Sequence, residues 1–337
     1  MENFSIASMK SITTLKKISE NLNISVSTVS RALKNHPDIS EETKRRVKEL
    51  ASLLEYEPNT YAINLRTNSS KVFGLIVPAI SNTFYDSFIS AAEQKARESG
   101  FSLMILQSGD DPLLEAENLR LCRATRVAGV MISITPGSYR DPFQKLEEAG
   151  IPVIFFDKVP DYDNCNKVCL ADEEAAIIAA STIIKYNKKK VLGIFGNPDL
   201  SITQKRLQAF TREFEKQAPD AKLFIKNCSN STEAMQTTFD FCSSNPVDNI
   251  FAMSDEILIG VMKALYKSNT RIPDDVSVLA ISNGFLPEIF NPVITYVETS
   301  GFELGKLAMK RMMDYLGGQK FSRSIILPSR LVEGKSM

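Results

Sequence analysis

The sequence predicts an α/β protein in which two lobes of parallel sheet follow a small three-helix head. Three observations carry this. Up to about residue 66 the apolar residues repeat with helical spacing and no strand signal, and after "RTNSSK" short β-branched runs begin. Those runs alternate with helical stretches, the pattern of parallel βαβ units. At 337 residues the chain exceeds one ordinary core, and two consecutive doubly wound sheets account for the length better than one sheet of eight or more strands.

The first helix is expected in "TTLKKISENLN". Leu15, Ile18 and Leu22 form its apolar stripe, Thr14 is its N-cap and Asn23 its stop. The second is "SVSTVSRALK", with Ser25 at the cap position and Val29 and Leu33 on one face. The third, "DISEETKRRVKELASLLEY", opens on Ser40, carries Glu41 and Glu42 in its first turn, and buries Val47, Leu50 and Leu54. The strands follow as "VFGLIVP", "FSLMILQ", "AGVMISI" and "IPVIFFD", then "KKVLGIFG", "AKLFIKN", "DNIFAMS" and "VSVLAIS". Helical segments such as "YDSFISAAEQKARESG" and "DPFQKLEEAG" separate them.

Composition excludes several chemistries. The one histidine, His36, rules out multi-histidine metal centres. The five scattered cysteines, Cys122, Cys165, Cys169, Cys228 and Cys242, do not complete a metal site and read as buried or half-buried thiols. No strand–helix junction carries GxGxxG or GxxxxGK[ST], so a nucleotide site lacks its usual phosphate cradle, and there is no Gly-x-Ser-x-Gly elbow. No apolar run approaches the ~20 residues of a membrane span. "MENFSIASMK" has no signal-peptide character, so residues 1–12 are expected to be a flexible leader, with Met1 or Met9 as the start, and the protein is expected in the cytoplasm. No cofactor is expected. Net charge is zero, and residues 1–71 hold 11 Lys/Arg against 8 Asp/Glu, a tilt too small to identify a nucleic-acid binder.

The second helix raises a question, because it is crowded with Ser, Thr and Val, which are indifferent helix formers. Val29 and Leu33 face inward, while Ser27 and Arg31, four apart, share the opposite face with Val26 beside them. Two readings fit. One is a recognition helix in a DNA major groove, with short hydroxyls for close approach and Arg31 long enough to reach a guanine edge. The other is a polar helix facing solvent. The next segment, "YEPNTYAINLRT", starts with Pro58 at a helix-start position but is too short to be stable alone, which suggests folding on contact with a partner.

From "LKKISENLNISVSTVSRALKNHPDISEETKRRVKELASLLEYEPNTYAINLRTNSSKVFGLIVP" onward the chain resembles the LacI family of bacterial transcription regulators. The motifs keep their order through "GVMIS", "GIPVIFFD", "KRLQAF", "RIPDDVSVLAISN" and "ELGKLAMKRM", so the likeness covers nearly the whole sequence. It implies a helix-turn-helix domain at 13–57, a hinge helix and linker at 58–71, and a two-lobed periplasmic-binding-protein-like effector domain at 72–337. Lobe 1 would be about 72–167 and 296–325, and lobe 2 about 168–295 and 326–337. It implies that Ser25 and Thr28 hold phosphates while Val26, Ser27 and Arg31 read bases, with Thr14, Lys34, Asn59, Ala62 and Arg66 in the same DNA-facing set. Leu65 would be an apolar wedge in the minor groove. The implied partners are a near-palindromic double-stranded operator, a second copy of the chain and a small effector, a sugar or sugar derivative; no membrane is involved. Ile63, Lys17 and Asn23 depart from residues common in the family and bear on base and phosphate preference.

For the effector, the resemblance and the rule that open α/β sheets bind ligands at the C-terminal ends of their strands agree. The candidates are Phe84, Tyr85, Asp157, Arg206, Ser254, Asp255 and Ser282. Arg206 is expected to make a bidentate contact with a sugar or carboxylate, and Phe84 or Tyr85 to stack on a sugar face. The alternatives are that the aromatics cover the lobe interface and that Asp157 and Asp255 cap helices. Ser282 stands where the family often has an aspartate, and with Asn283 makes a neutral pair. Two rivals are a solute-binding protein, which predicts a signal peptide and no helical head, and an α/β enzyme using Asp157, Arg206 and Asp255. Neither is favoured.

Overall fold

The computed structural model describes residues 14–56, 70–319 and 324–337. The chain forms two units, divided between residues 69 and 70.

In the first unit, α1 (Leu15–Leu22), α2 (Val26–Leu33) and α3 (Glu41–Leu53) each begin at a hydroxyl cap. Thr14 accepts from the Lys17 N–H, Ser25 from Thr28 and Ser40 from Thr43. Each bond satisfies an N–H that the helix itself leaves unpaired. Asn23 stops α1 in the left-handed region, at φ 54°. Ile18, Val29, Ala32 and Val47 are fully buried, and Ala51 nearly so. Leu33, expected inward with Val29, is only half-buried, and Ala32 takes the interior place.

The second unit holds two six-stranded sheets. Lobe 1 contains β1 (Val72–Val77), β2 (Ser102–Gln107), β3 (Val130–Ile132), β4 (Val153–Phe156), β5 (Asn166–Leu170) and β11 (Ser324–Leu327). They are ordered β11-β5-β4-β3-β1-β2 and all neighbours are parallel. Lobe 2 contains β6 (Lys190–Phe195), β7 (Lys222–Asn227), β8 (Asn249–Ala252), β9 (Ser277–Ser282), β10 (Thr295–Glu298) and β12 (Arg330–Val332). Their order is β12-β10-β9-β8-β6-β7, with only β12 antiparallel to its neighbour. Lobe 1 carries α4 (Thr83–Glu98), α5 (Pro112–Ala124), α6 (Asp141–Glu148) and α12 (Gly301–Leu316). Lobe 2 carries α7 (Asp172–Lys185), α8 (Ser201–Gln217), α9 (Ser231–Ser244), α10 (Asp255–Lys267) and the short α11 (Phe285–Ile289). Each lobe is centred on stacked phenylalanines, Phe88 on Phe156 at 3.8 Å and Phe210 on Phe251 at 4.4 Å.

The chain crosses between lobes three times, each a few residues later than expected. β5 runs to Leu170 in register with β4, so 168–170 belong to lobe 1 rather than lobe 2. β10 pairs with β9, Tyr296 opposite Ala280, which puts 296–298 in lobe 2. β11 keeps Ile326 and Leu327 in lobe 1. Apolar runs mark where strands lie, but only pairing says which sheet they join. Strands β5, β10, β11 and β12 were not among the eight apolar runs, because they are short and, except for β10, mostly exposed or half-buried, β11 and β12 having no buried residue at all.

Helices α4 and α12 touch closely because α12 presents glycines there. A Cβ on Gly305 would lie 2.5 Å from the Phe88 carbonyl oxygen, and one on Gly301 2.4 Å from that of Phe84. Gly305→Ala is therefore expected to destabilise the protein by about 1–3 kcal/mol, the usual effect of overpacking. Urea unfolding measures it; an unchanged midpoint would mean that the helices separate freely.

Candidate functional site

Two places combine exposed or cavity-facing polar chemistry. The first is the N-terminal half of α2. Ser25 accepts from the Thr28 N–H at 3.1 Å, and its Oγ lies 2.7 Å from Ser27 Oγ and 2.8 Å from Thr28 Oγ1. The hydroxyls thus form one connected cluster over the helix start, where the backbone favours anions. Val26 is 44% exposed, Ser27 and Arg31 are exposed, and Arg31 makes no side-chain bond among the described residues. An exposed apolar side chain beside an unengaged guanidinium is a surface shaped for contact, not for packing within the bundle. Thr14 is exposed at the α1 cap, and Lys34 is the exposed C-cap of α2. Asn59, Ala62, Leu65 and Arg66 lie outside the described residues.

The second place is a cavity of about 640 Å³ between the two lobes of the second unit. It opens at the C-terminal ends of β1, β4, β6, β8 and β9. All seven expected residues, Phe84, Tyr85, Asp157, Arg206, Ser254, Asp255 and Ser282, line it. Their commitments differ from expectation. Tyr85 is buried, and its hydroxyl donates to Asp157 at 2.6 Å and lies 3.1 Å from Ser133 Oγ. Burial and the Asp157 carboxylate push the Tyr85 phenol well above its usual pKa. Tyr85 is therefore a support for Asp157, and Phe84, half-buried and edge-on to Tyr85, is the aromatic left to face a guest. Asp157 does not cap a helix; it follows β4 in the left-handed region, at φ 57°, a strained place for a non-glycine residue.

Arg206 is 4% exposed and already engaged. Its Nε and Nη2 reach Asp172 Oδ1 at 3.0 and 2.8 Å, and Nη1 donates to the Met253 carbonyl at 2.7 Å. The bidentate fork expected for a ligand is thus spent on Asp172, leaving the remaining Nη1 and Nη2 hydrogens for a guest. Ser254 is the N-cap of α10, accepting from Ile257. Asp255, expected as a possible cap, instead accepts from the Ser282 hydroxyl, from the Asn283 N–H at 3.1 Å and, weakly, from Thr83 at 3.5 Å. Burial pushes the Asp255 carboxyl up, against the pull of those donors. A carboxylate therefore does stand beside Ser282, supplied by the neighbouring strand's end rather than by position 282 itself.

Sequence reasoning missed four participants, Asp172, Lys158, Asp110 and Thr203, and it placed Asn283 beside Ser282 without its role. Asp172, at the start of α7, holds Arg206 from 34 residues away. Lys158 pairs with Asp110 at 2.8 Å across 48 residues, and both face the cavity. Thr203 lines the cavity with a fully buried hydroxyl that has no hydrogen-bond partner among the described residues. Asn283 ties the lobes together: its Nδ2 donates to the Thr83 carbonyl at 3.2 Å and to Ser87 at 3.0 Å, and its Oδ1 accepts from Gly301 N–H. Only the position after a strand pointed to any of these. Among the described residues no cluster of His, Cys, Asp or Glu could hold a metal ion, and no helix is long and apolar enough to cross a membrane.

Comparison with known proteins covers both places. Residues 14–59 match the family described as bacterial regulatory proteins, lacI family, and residues 70–334 match periplasmic binding proteins and sugar binding domain of LacI family. The ribose operon repressor of Halalkalibacterium halodurans is 25% identical over 303 residues, 90% of each chain. The Lac repressor dimer bound to operator and the anti-inducer ONPF superposes with a TM-score of 0.85 at 20% identity, over 96% of this chain and 98% of that one. A LacI family transcriptional regulator from Enterococcus faecium with bound ribose gives 0.72 at 21% identity, over 79% of this chain and 98% of that one.

Proposed function

Because the chain belongs to the LacI family of bacterial regulatory proteins, with a helix-turn-helix domain ahead of a ligand-binding domain, we propose that it is a dimeric, ligand-responsive regulator of a near-palindromic operator. The observation that carries the reading is α2: a Ser25-capped helix whose exposed face is Val26, Ser27 and Arg31, in the same chain as a two-lobed domain with a polar cavity. The capped helix start and the Ser25–Ser27–Thr28 hydroxyls suit phosphate oxygens, and Arg31 suits a guanine edge. The hinge segment at 58–66 would order on the operator, with Leu65 as its wedge.

The cavity would take a sugar or sugar derivative. Its donors and acceptors come from both lobes, so a guest bridging Asp157 in lobe 1 and Asp255 in lobe 2 changes how the lobes meet. Coupling of this kind alters DNA affinity by about 1–3 kcal/mol. Catalysis is not part of the reading: Asp157, Arg206 and Asp255 are held by protein partners rather than converging as an acid–base set. The protein would act in the cytoplasm, with the DNA.

Selection of bound sequences from a random duplex pool tests this. The expected winner contains two half-sites related by a dyad, with affinity falling steeply as salt rises. Folded protein that enriches nothing, with or without a sugar mixture, contradicts it.

A further inference from the structure

The ionisable residues of the cavity do not balance. Asp110, Asp157, Asp255 and Glu256 face it against Lys158 and Arg206. Both cations are already matched, Lys158 by Asp110 at 2.8 Å and Arg206 by Asp172 at 2.8 Å. Asp157 and Asp255 therefore have no cationic partner of their own; Tyr85 and Ser133 attend the first, and Ser282, Asn283 and Thr83 the second. The starts of α4, α8 and α10 also border the cavity, and each contributes roughly half a positive charge. Counted with Asp172, the acids exceed the bases by three formal charges; the helix starts, those of α5, α9 and α12 included, soften this excess without supplying a discrete cation.

Asp255 is also nearly saturated as a hydrogen-bond acceptor. A carboxylate has about four acceptor sites, and three protein donors occupy those of Asp255. One acceptor site is left for a guest, and there a charged donor such as an ammonium gains more than a neutral hydroxyl. The Thr203 hydroxyl, buried and without a partner among the described residues, belongs to a residue that lines the same cavity.

We propose that the ligand of this cavity is an amine-bearing sugar, its ammonium group neutralised by Asp255 in lobe 2 with Asp157 of lobe 1 adding to the attraction, and that phosphorylated and acidic sugars are excluded. The proposal rests on the sugar-binding reading above and names the charge of the ligand. An ammonium group supplies the countercharge that the buried Asp255 and half-buried Asp157 lack, whereas a phosphate would add like charge to a cavity with no spare cation.

Calorimetry on the intact protein tests it with three matched series: glucose, galactose and mannose, each beside its 2-amino sugar and its 6-phosphate. The expected result is that at least one amino sugar binds about tenfold or more tighter than its parent and that no phosphate binds. Asp255→Asn should bring the amino sugar's affinity down to that of its parent, whatever the substitution does to the parent. The ligand comparison uses the unaltered protein, so poor folding of the variant does not affect it. Parent and amine binding equally, or a 6-phosphate binding best, overturns the proposal and leaves the sugar reading standing. Binding by none of the nine overturns this inference, and the wider sugar reading then falls only if pentoses and disaccharides also fail to bind.

Discussion

Arg31→Ala is expected to lower discrimination between the selected operator and a duplex with its guanine replaced by about 1–3 kcal/mol, roughly 5- to 150-fold. The guanidinium is exposed and makes no bond among the described residues, so nothing in the fold depends on it. Alanine is also the better helix former, so thermal stability should move by no more than about 0.5 kcal/mol. The substitution therefore isolates recognition from folding. A residue that touched only phosphate would behave differently, weakening all duplexes alike and reducing the salt dependence by about one charge. Competition binding on the two duplexes separates these outcomes. Equal loss on both would remove Arg31 from base reading.

The second large effect is at Arg206. Arg206→Ala leaves the Asp172 carboxylate in a site where it is 7% exposed, without its cation. Breaking one side of a buried pair costs about 3–5 kcal/mol, and for a unit of this size that lowers the melting temperature by about 6–20 °C. The effect should also depend on pH. Burial already pushes the Asp172 carboxyl up, with Arg206 pulling it down, so removing Arg206 raises it further. A carboxyl whose folded pKa is raised gives its full stability below its unfolded pKa and loses it as pH rises through the folded value. The gap between variant and parent should thus be small near pH 4 and widest at pH 7–8. Asp172→Asn in the same chain should close most of it. Melting curves across pH check this; a gap independent of pH, or one widened by Asp172→Asn, would contradict the assignment. Ligand response is expected to fail in Arg206→Ala as well, because the same side chain lines the cavity.

The caps at Thr14, Ser25 and Ser40 were legible because capping is a local interaction, written in residues three apart. Asp157, Ser254, Asp255 and Ser282 were legible as positions just after strands, because in an open α/β sheet the C-terminal edge is where side chains converge, while Phe84, Tyr85 and Arg206 lie on the helices that follow. What those residues do was not. Arg206 read as a ligand fork since Asp172, 34 residues earlier, carries no local mark of its partner. Ser282 read as the loss of an acid since the replacement, Asp255, arrives from another strand. The lobe boundaries slipped by about three residues for the same reason: pairing between strands distant in sequence, not the apolar runs, decides sheet membership.

On the proposed function, occupancy of the cavity changes DNA affinity. The most direct test is the affinity of the intact protein for the selected operator, measured at fixed salt with and without a saturating amount of the sugar that binds best in the calorimetric series. A shift of about 5- to 150-fold, in one direction, is expected, and it disappears on a scrambled duplex. Superimposable binding curves with the cavity fully occupied would contradict it.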